Sequence, residues 1–518
     1  MGLSQGHSDH VVEDVTVEEG TERTAAGDGA AAGAPALRVV LLSPASAAGE
    51  RMIKDAGGRS QTKESITSIW PVTELMVMGA ILKRAGVEVE LVDANVLGWV
   101  HDRVVEEIER LSPQMVVVLS ITPLFYDDIR LAGMMKRAVP GLVTVFYGIH
   151  ATVFPEEAGR DEIDVIVRGE PELTVEELCR VFMEKGRLDA ETLASVKGVS
   201  YADGDGGVRH NPDRPLIEDL DILPPPDLDL MDPSRYTMPA SDESFMVIQT
   251  SRGCPFRCIF CTSGSYYGKR WRSRSAESVF REIKLCHDRY GIRNFNLMSD
   301  LFTCNKKRVM ELCRMIIDGG LDIRWTCNSR VDTVDEEMLA MMKRSGCWLM
   351  SFGIESGDPG MLEKMKKGTT VEDAERAVAL AKKVGIGQHC YFIIGLPGET
   401  HESARRTIEF AVRLDPTYVK FYEGTPLPGS EFFDLAVREG WMNWDDFVTG
   451  KKLMYEGKTN MVDYPDLSHE EISRYVSMGY RAFYLRPRFI WRELRKVRDL
   501  RGLVERVKLF GKLVRNWF

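Results

Sequence analysis

Twice along the 518-residue chain, short aliphatic runs alternate with stretches of helical periodicity, and this alternation limits the fold more than any other feature. The first series runs Leu37–Ser43, a helix from Val72 to Ala85, Val87–Asp93, a helix from Asp102 to Leu111, Met115–Ser120, a helix from Asp127 to Val139, Leu142–Tyr147 and Asp164–Arg168. Strands alternating with helices of this length imply an α/β, doubly wound (Rossmann-like) sheet whose ligands gather beyond the carboxyl ends of the strands. A second series, with strands near 245–249, 294–298, 324–327, 349–354, 391–395 and 418–422, supplies six βα units. It implies a partial (β/α)6 barrel with its chemistry in the loops at one end.

Between the two series, residues 200–242 dissolve into Asp203-Gly-Asp-Gly-Gly207 and Leu223-Pro-Pro-Pro-Asp227, a composition that reads as a connector. The expected organisation is a disordered tail over 1–36, the doubly wound domain over 37–199, a linker over 200–242, the barrel over 243–430 and a helical extension over 431–518. Ser275 and Thr370 stand at helix N-cap positions, and Thr370 with Asp373 and Ser468 with Glu471 have capping-box spacing. Residues 1–36 carry no apolar signal segment, and the most apolar run, from Met115, is far shorter than the roughly 20 residues a membrane helix needs. The expectation is a cytoplasmic protein without a transmembrane segment.

With 44% hydrophobic and 28% charged residues the chain can bury a large core, which excludes a disordered or fibrous protein. Its net charge of −11 argues against a globally electrostatic nucleic-acid binder. The last stretch differs: residues 481–518 hold 12 Lys/Arg and 3 Asp/Glu, a local excess of +9, interleaved with Phe483, Tyr484, Phe489, Trp491, Phe510, Trp517 and Phe518. Such a stretch can lie on anionic membrane, bind nucleic acid or pack as a solvated helix. An ordinary solvated helix is the first reading, peripheral contact with an inner membrane surface the alternative, and nucleic acid is not expected.

Of ten cysteines, seven are scattered one to an element, as small buried hydrophobes are. The other three, Cys254, Cys258 and Cys261, fall within eight residues of one loop, directly after the first barrel strand, which suits a metal site. A closed structural zinc site would need a fourth ligand, usually from a second Cys or His pair, and none stands nearby. Three thiolates leave one iron of a [4Fe–4S] cluster open.

This Cys-x3-Cys-x-Φ-Cys pattern, with Phe260 as the aromatic residue, resembles the signature of the radical S-adenosylmethionine (radical SAM) enzymes. The resemblance implies that Cys254, Cys258 and Cys261 hold the cluster and that SAM chelates its open iron. It also implies an external one-electron donor such as flavodoxin or ferredoxin, reductive cleavage of SAM, and a deoxyadenosyl radical. Later strand ends resemble the family's SAM-holding motifs: Ser299-Asp300, Arg330, Gly353-Ile-Glu355-Ser356, and the loop containing Gly395, Leu396 and Gly398. For Asp300 the alternative is helix capping, for Arg330 and Glu355 an exposed surface pair, and for the glycines a tight turn.

The first domain resembles the cobalamin-binding domain that precedes the barrel in one branch of that family. The matching groups are Trp70-Pro-Val-Thr-Glu-Leu75, Asp93, Ser120, Thr122, Gly148, His150, Thr152 and Glu170, each just beyond a strand. For Ser120 and Thr122 local backbone bonding is the alternative, and His150 reads as a loop residue near the corrin. The loop Asp93-Ala-Asn95-Val-Leu-Gly98 lacks the histidine that ligates cobalt in other cobalamin enzymes, so no lower histidine ligand is expected from it. Residues 482–490 resemble the extension of the branch containing the anaerobic magnesium-protoporphyrin monomethyl ester cyclase and the hopanoid-associated enzymes. The resemblance implies methylation of an unactivated carbon, or phosphorus, of a small or lipid-like substrate. Oxidative cyclisation or rearrangement, and a non-catalytic cobalamin- or cluster-binding protein, are the alternatives. No catalytic acid or base stands out.

Overall fold

In the computed structural model, residues 37–49, 51–55, 61–62, 69–238, 243–445, 462–495 and 511 are described, and both series form the expected sheets. The expected tail over 1–36 lies outside the described residues. In the first sheet β1 (Arg38–Ser43) pairs in parallel with β2 (Glu88–Asp93) on one side and β3 (Met115–Leu119) on the other, followed by β4 (Val143–Tyr147) and β5 (Val165–Val167). Alternate residues of β1 explain the layering. Val39 and Leu41 enter a core shared with α1 (Thr73–Arg84) and α4 (Glu172–Lys185), while Val40 and Leu42 enter one shared with α2 (His101–Leu111) and α3 (Phe125–Ala138). A strand buried on both faces reads as an unbroken aliphatic run. The order β2-β1-β3 puts the topological switch point at the ends of β1 and β3.

The stretch expected as a connector differs. Val199–Ala202 (β6) and Val208–His210 (β7) form a hairpin that extends the first sheet antiparallel to β5. The Gly- and Asp-rich run is its turn, in which Asp203 Oδ1 accepts from the amides of Asp205 and Gly207, each at 2.9 Å. Beyond it, three short 3-10 turns begin at Leu220, Leu228 and Pro233, each capped by the carboxylate of the preceding Asp219, Asp227 or Asp232.

The second sheet takes its strands in sequence order, all parallel: β8 (Phe245–Gln249), β9 (Asn294–Met298), β10 (Arg324–Ser329), β11 (Cys347–Glu355), β12 (Gly387–Ile394) and β13 (Tyr418–Glu423). Their outer face, including Trp325, Met350, Phe352, Cys390, Phe392 and Phe421, packs into one core under the helices that link them. Ser275 caps its helix, and Thr370 with Asp373 forms a capping box. A second box, Ser468 with Glu471, starts α11 (His469–Tyr484), which follows α10 (Glu431–Arg438).

Helix α11 covers the free edge of the barrel sheet. Tyr484 Oη donates to Val419 O (2.6 Å) and accepts from Val419 N (3.1 Å), and Tyr480 Oη donates to Phe421 O (3.2 Å). Backbone groups that would template pairing with another chain are thereby satisfied. In α12 (Pro487–Leu494) and just before it, three arginines of the basic tail converge on Asp415: Arg486 at 2.9 Å, Arg488 at 3.2 Å and Arg492 at 3.6 Å. Ile490, Trp491 and Leu494 point outward, 39%, 57% and 54% exposed. Residues 496–510 and 512–518 of that tail lie outside the described residues, among which no helix is long and apolar enough to cross a membrane.

Candidate active site

The cysteine loop leaves β8 through Ser251–Arg252, which pairs with Arg272–Ser273. It is pinned at several points. Gly253 N donates to Asp300 Oδ2 (2.8 Å), Ile259 N to Met365 O (3.1 Å), and Phe432 N to Ile259 O (2.8 Å). Cys254 and Cys258 are half-buried and Cys261 is exposed, whereas six of the other seven cysteines are buried, Cys304 excepted. Each of the three thiols lies within electrostatic reach of another, and burial pushes that of Cys254 up to about 11. Among the described residues no set of three His, Cys, Asp or Glu is already gathered around a metal position. Three soft donors presented on one pinned loop nevertheless fit an iron–sulfur cluster, whose binding would draw them together and displace their protons.

Around this loop the other barrel residues are spoken for. Ser299 is buried, its Oγ against Ser251 Oγ and accepting from Leu301 N (2.9 Å). Asp300 braces Gly253 and caps no helix, since the helix that follows is capped by Asn305. Arg330 and Glu355 are not an exposed surface pair: they are 5% and 7% exposed and bonded elsewhere. Arg330 forks onto Asp332 (2.9 Å), donates to Lys367 O (2.9 Å) and lies over the Phe256 ring at 3.6 Å. Glu355 holds Lys367 at 2.7 Å, and Lys367 Nζ stands 6.0 Å from the Phe260 ring centre. Gly353 makes room for this pair, because a Cβ there would sit 2.4 Å from Glu355 Oε1. Ser356 Oγ shares a hydrogen bond with Thr407 Oγ1 (2.9 Å). Gly395 O accepts from Tyr464 Oη (2.9 Å), Gly398 O accepts from Lys364 Nζ (2.8 Å), and Leu396 is buried between them.

At the ends of the first sheet a second polar set collects. Asp93 accepts from Val96 N (3.2 Å) and Tyr236 Oη (2.6 Å), and Ser120 Oγ donates to Asp128 Oδ2 (2.6 Å). Burial pushes both carboxyls up. Asn95, which stands where the missing histidine would be, has its amide committed to the Met52 backbone, accepting at 2.8 Å and donating at 2.6 Å. Gly148 is required as glycine: at φ +126 a Cβ would lie 2.1 Å from Ser120 O. Thr122 opens a short 3-10 turn, and Thr152 Oγ1 donates to Gly148 O (2.9 Å) while accepting from Gly169 N (3.0 Å). Lys54 Nζ, Asp128 Oδ1 and both ring nitrogens of His150 are buried without a hydrogen-bond partner. Orphaned polar atoms on the segments that follow the strands fit a ligand rich in amide groups, such as cobalamin.

Two expectations need correction. His150 is not a loop residue: it sits in the short helix Ile149–Val153, fully buried, stacked on Phe125 at 3.9 Å with Trp444 beyond at 6.2 Å. Burial pushes its imidazole down to about 3, so it is neutral. Glu170, expected among the cobalamin groups, has its carboxylate taken up by protein donors. Its carboxylate accepts from Arg252 (3.1 Å), Arg272 (2.9 and 3.1 Å) and Ile217 N (2.7 Å), and Glu172 takes the other arm of Arg252. All four charged side chains are under 5% exposed. The network therefore ties the loop after β5 to the two paired arginines that flank the cysteine loop. Sequence reasoning missed Lys54, Lys367, Arg252 and Arg272; none stands in a local pattern that distinguishes it.

Against known proteins, residues 248–411 match the Radical SAM superfamily and residues 62–179 the B12 binding domain. An uncharacterized methyltransferase of Pyrococcus horikoshii is 37% identical over 79% of this chain and 86% of its own. The anaerobic magnesium-protoporphyrin IX monomethyl ester cyclase of Rubrivivax gelatinosus is 30% identical over 82% of this chain and 76% of its own. The radical S-adenosylmethionine methyltransferase TsrM from Kitasatospora setae, solved with cobalamin and a [4Fe-4S] cluster, superposes with a TM-score of 0.62, covering 79% of each chain at 21% identity, and so shares the fold.

Proposed function

The chain belongs to the cobalamin-binding radical SAM family, and from that premise we propose that it methylates an unactivated carbon, or phosphorus, centre of a small or lipid-like substrate. One observation carries this reading: the pinned three-cysteine loop and the polar site at the ends of the first sheet are joined by the Glu170, Glu172, Arg252 and Arg272 network. Transfer between two cofactors requires that their sites hold a fixed relation. When bound, the cluster and SAM supply reductive cleavage of the sulfonium, and cobalamin supplies a carrier for the methyl group.

The chain's own residues bind, orient and shield. Cys254, Cys258 and Cys261 would ligate the cluster, with Asp300 and Ser299 bracing their loop. Phe260, Arg330, Glu355, Ser356 and the Gly395, Leu396 and Gly398 loop would line the SAM site, where the Glu355 and Lys367 pair offers both charges to an amino-acid zwitterion. Asp93, Ser120, Thr122, Gly148 and Thr152, with Lys54 and Asp128, would face cobalamin. His150 would offer the donor and acceptor of its neutral ring, and Glu170 would act as a positioning residue.

Oxidative cyclisation is the second reading, favoured by the likeness to the Rubrivivax cyclase. Tracing an isotopically labelled SAM methyl group separates the two: methylation predicts the label in the product, and unlabelled product contradicts it. An external one-electron donor is part of the proposal, as is contact of residues 481–518 with anionic membrane through the outward face of α12. Co-sedimentation of the full chain with anionic but not neutral vesicles is the expected result for that contact, and sedimentation with neither would remove it.

A further inference from the structure

The C-terminal extension reaches past the sheet edge it covers, to the loop that follows β12. That loop turns at Gly395, whose φ of +92 belongs to glycine. It is held from within, where Glu399 Oε2 accepts from Gly395 N (3.4 Å) and Glu399 N donates to Leu396 O (2.9 Å). It is also held from outside the barrel. Tyr464 Oη, from the segment leading into α11, donates to Gly395 O at 2.9 Å. Ile472, in the first turn of α11 and 2% exposed, packs so closely that a Cβ on Gly395 would meet its Cδ1 at 2.7 Å.

Tyr464 is itself fixed. Its ring meets Trp441 edge to face at 4.9 Å, and its backbone N donates to Leu467 O (3.2 Å), closing the turn that precedes the Ser468 cap of α11. Asp463 anchors the same turn: its N donates to Trp441 O (3.1 Å), and its Oδ1 accepts from His469 N (2.9 Å). Burial, with the Glu399 charge behind it, pushes the Tyr464 phenol up, so it stays protonated and keeps its donor.

What this grip does follows from where the loop lies. β12 neighbours β11, whose Glu355, paired with Lys367, would take the amino-acid end of SAM, so the Gly395 loop would meet the nucleoside end. The Gly395 N and O atoms belong to the two peptide groups on either side of its Cα. Bonding both fixes the two planes, and with them the course of Leu396 to Gly398 at the residue with the most conformational freedom to lose. A site that is competent for only a fraction of the time binds more weakly in proportion to that fraction. We propose that Tyr464 is a positioning residue for SAM, supplied by the extension and not by the barrel, which holds the Gly395 peptide groups in the conformation that receives the nucleoside end. The proposal rests on the reading of this loop as part of the SAM site.

The test is equilibrium binding of SAM to the full-length reconstituted protein without reductant, with cluster content and thermal unfolding measured on the same samples. Tyr464→Phe keeps the ring and removes the donor, and is expected to weaken SAM about tenfold at unchanged cluster content. Competition by 5′-methylthioadenosine, which lacks the amino-acid end, should weaken by the same factor. Ile472→Ala frees the other side of Gly395, is expected to weaken SAM several-fold, and serves if Tyr464→Phe does not fold. Tyr475→Phe is the control: it removes the 3.0 Å bond between Tyr475 Oη and His401 Nδ1 on the exposed side of the same helix and is expected to leave SAM affinity at the parent's value. A lowered unfolding temperature with SAM affinity unchanged would make Tyr464 merely structural and overturn the proposal, as would equal weakening by Tyr475→Phe. A parent that binds no SAM refutes the reading of the site and this proposal with it, whereas a parent that binds SAM no better than Tyr464→Phe does refutes this proposal alone.

Discussion

Anaerobic reconstitution of a Cys254→Ala, Cys258→Ala, Cys261→Ala variant is expected to yield protein without the iron–sulfur absorbance of the parent. No other cysteine can take over, since Cys179, Cys286, Cys313, Cys327, Cys347 and Cys390 are buried within the cores and Cys304 stands alone. The fold should survive, because the loop is pinned by Gly253, Ile259 and Phe432 through backbone groups that the substitutions leave in place. Matched far-ultraviolet circular dichroism of parent and variant checks that point. A full cluster retained in the variant would refute the assignment of these cysteines.

The second large effect is expected at Glu170. Replacing it with glutamine leaves Arg252 and Arg272 buried with only the Glu172 carboxylate between them, and breaking a buried charge network of this kind costs about 3–5 kcal/mol. Chemical denaturation should show the loss. Burial pushes the Glu170 carboxyl up, but Arg252, Arg272 and the Ile217 amide pull it further down, so it lies below the ordinary glutamate value. A depressed carboxyl contributes stability that is present above the unfolded pKa of about 4.3 and is lost as pH falls through the folded value. The parent should therefore lose stability on acidification below that point, and Glu170→Gln should lose less of it. A variant as stable as the parent at neutral pH would contradict the role given to this network.

How much of this was legible in the sequence depends on how local each signal is. The sheets were readable because their strands are apolar on both faces, as in β1, or on the outer face, as in β11 and β12. The cysteine loop was readable because its spacing lies within eight residues. The β6–β7 hairpin reads as a linker in the sequence because its turn is richer in glycine than either strand is in aliphatic residues. The ion-pair network of Glu170 is invisible in the sequence because its partners, Arg252 and Arg272, stand 82 and 102 residues away. His150 looked like a loop residue because nothing in its neighbourhood announces Phe125 above it or Trp444 beyond.

The central claim is that this chain performs radical SAM chemistry, and quantifying 5′-deoxyadenosine formed from SAM by the reduced, reconstituted protein tests it most directly. The account predicts deoxyadenosine from the parent and none from the triple cysteine variant. A fully loaded, reduced parent that forms none with any substrate supplied would contradict it and leave a cofactor-binding protein without turnover.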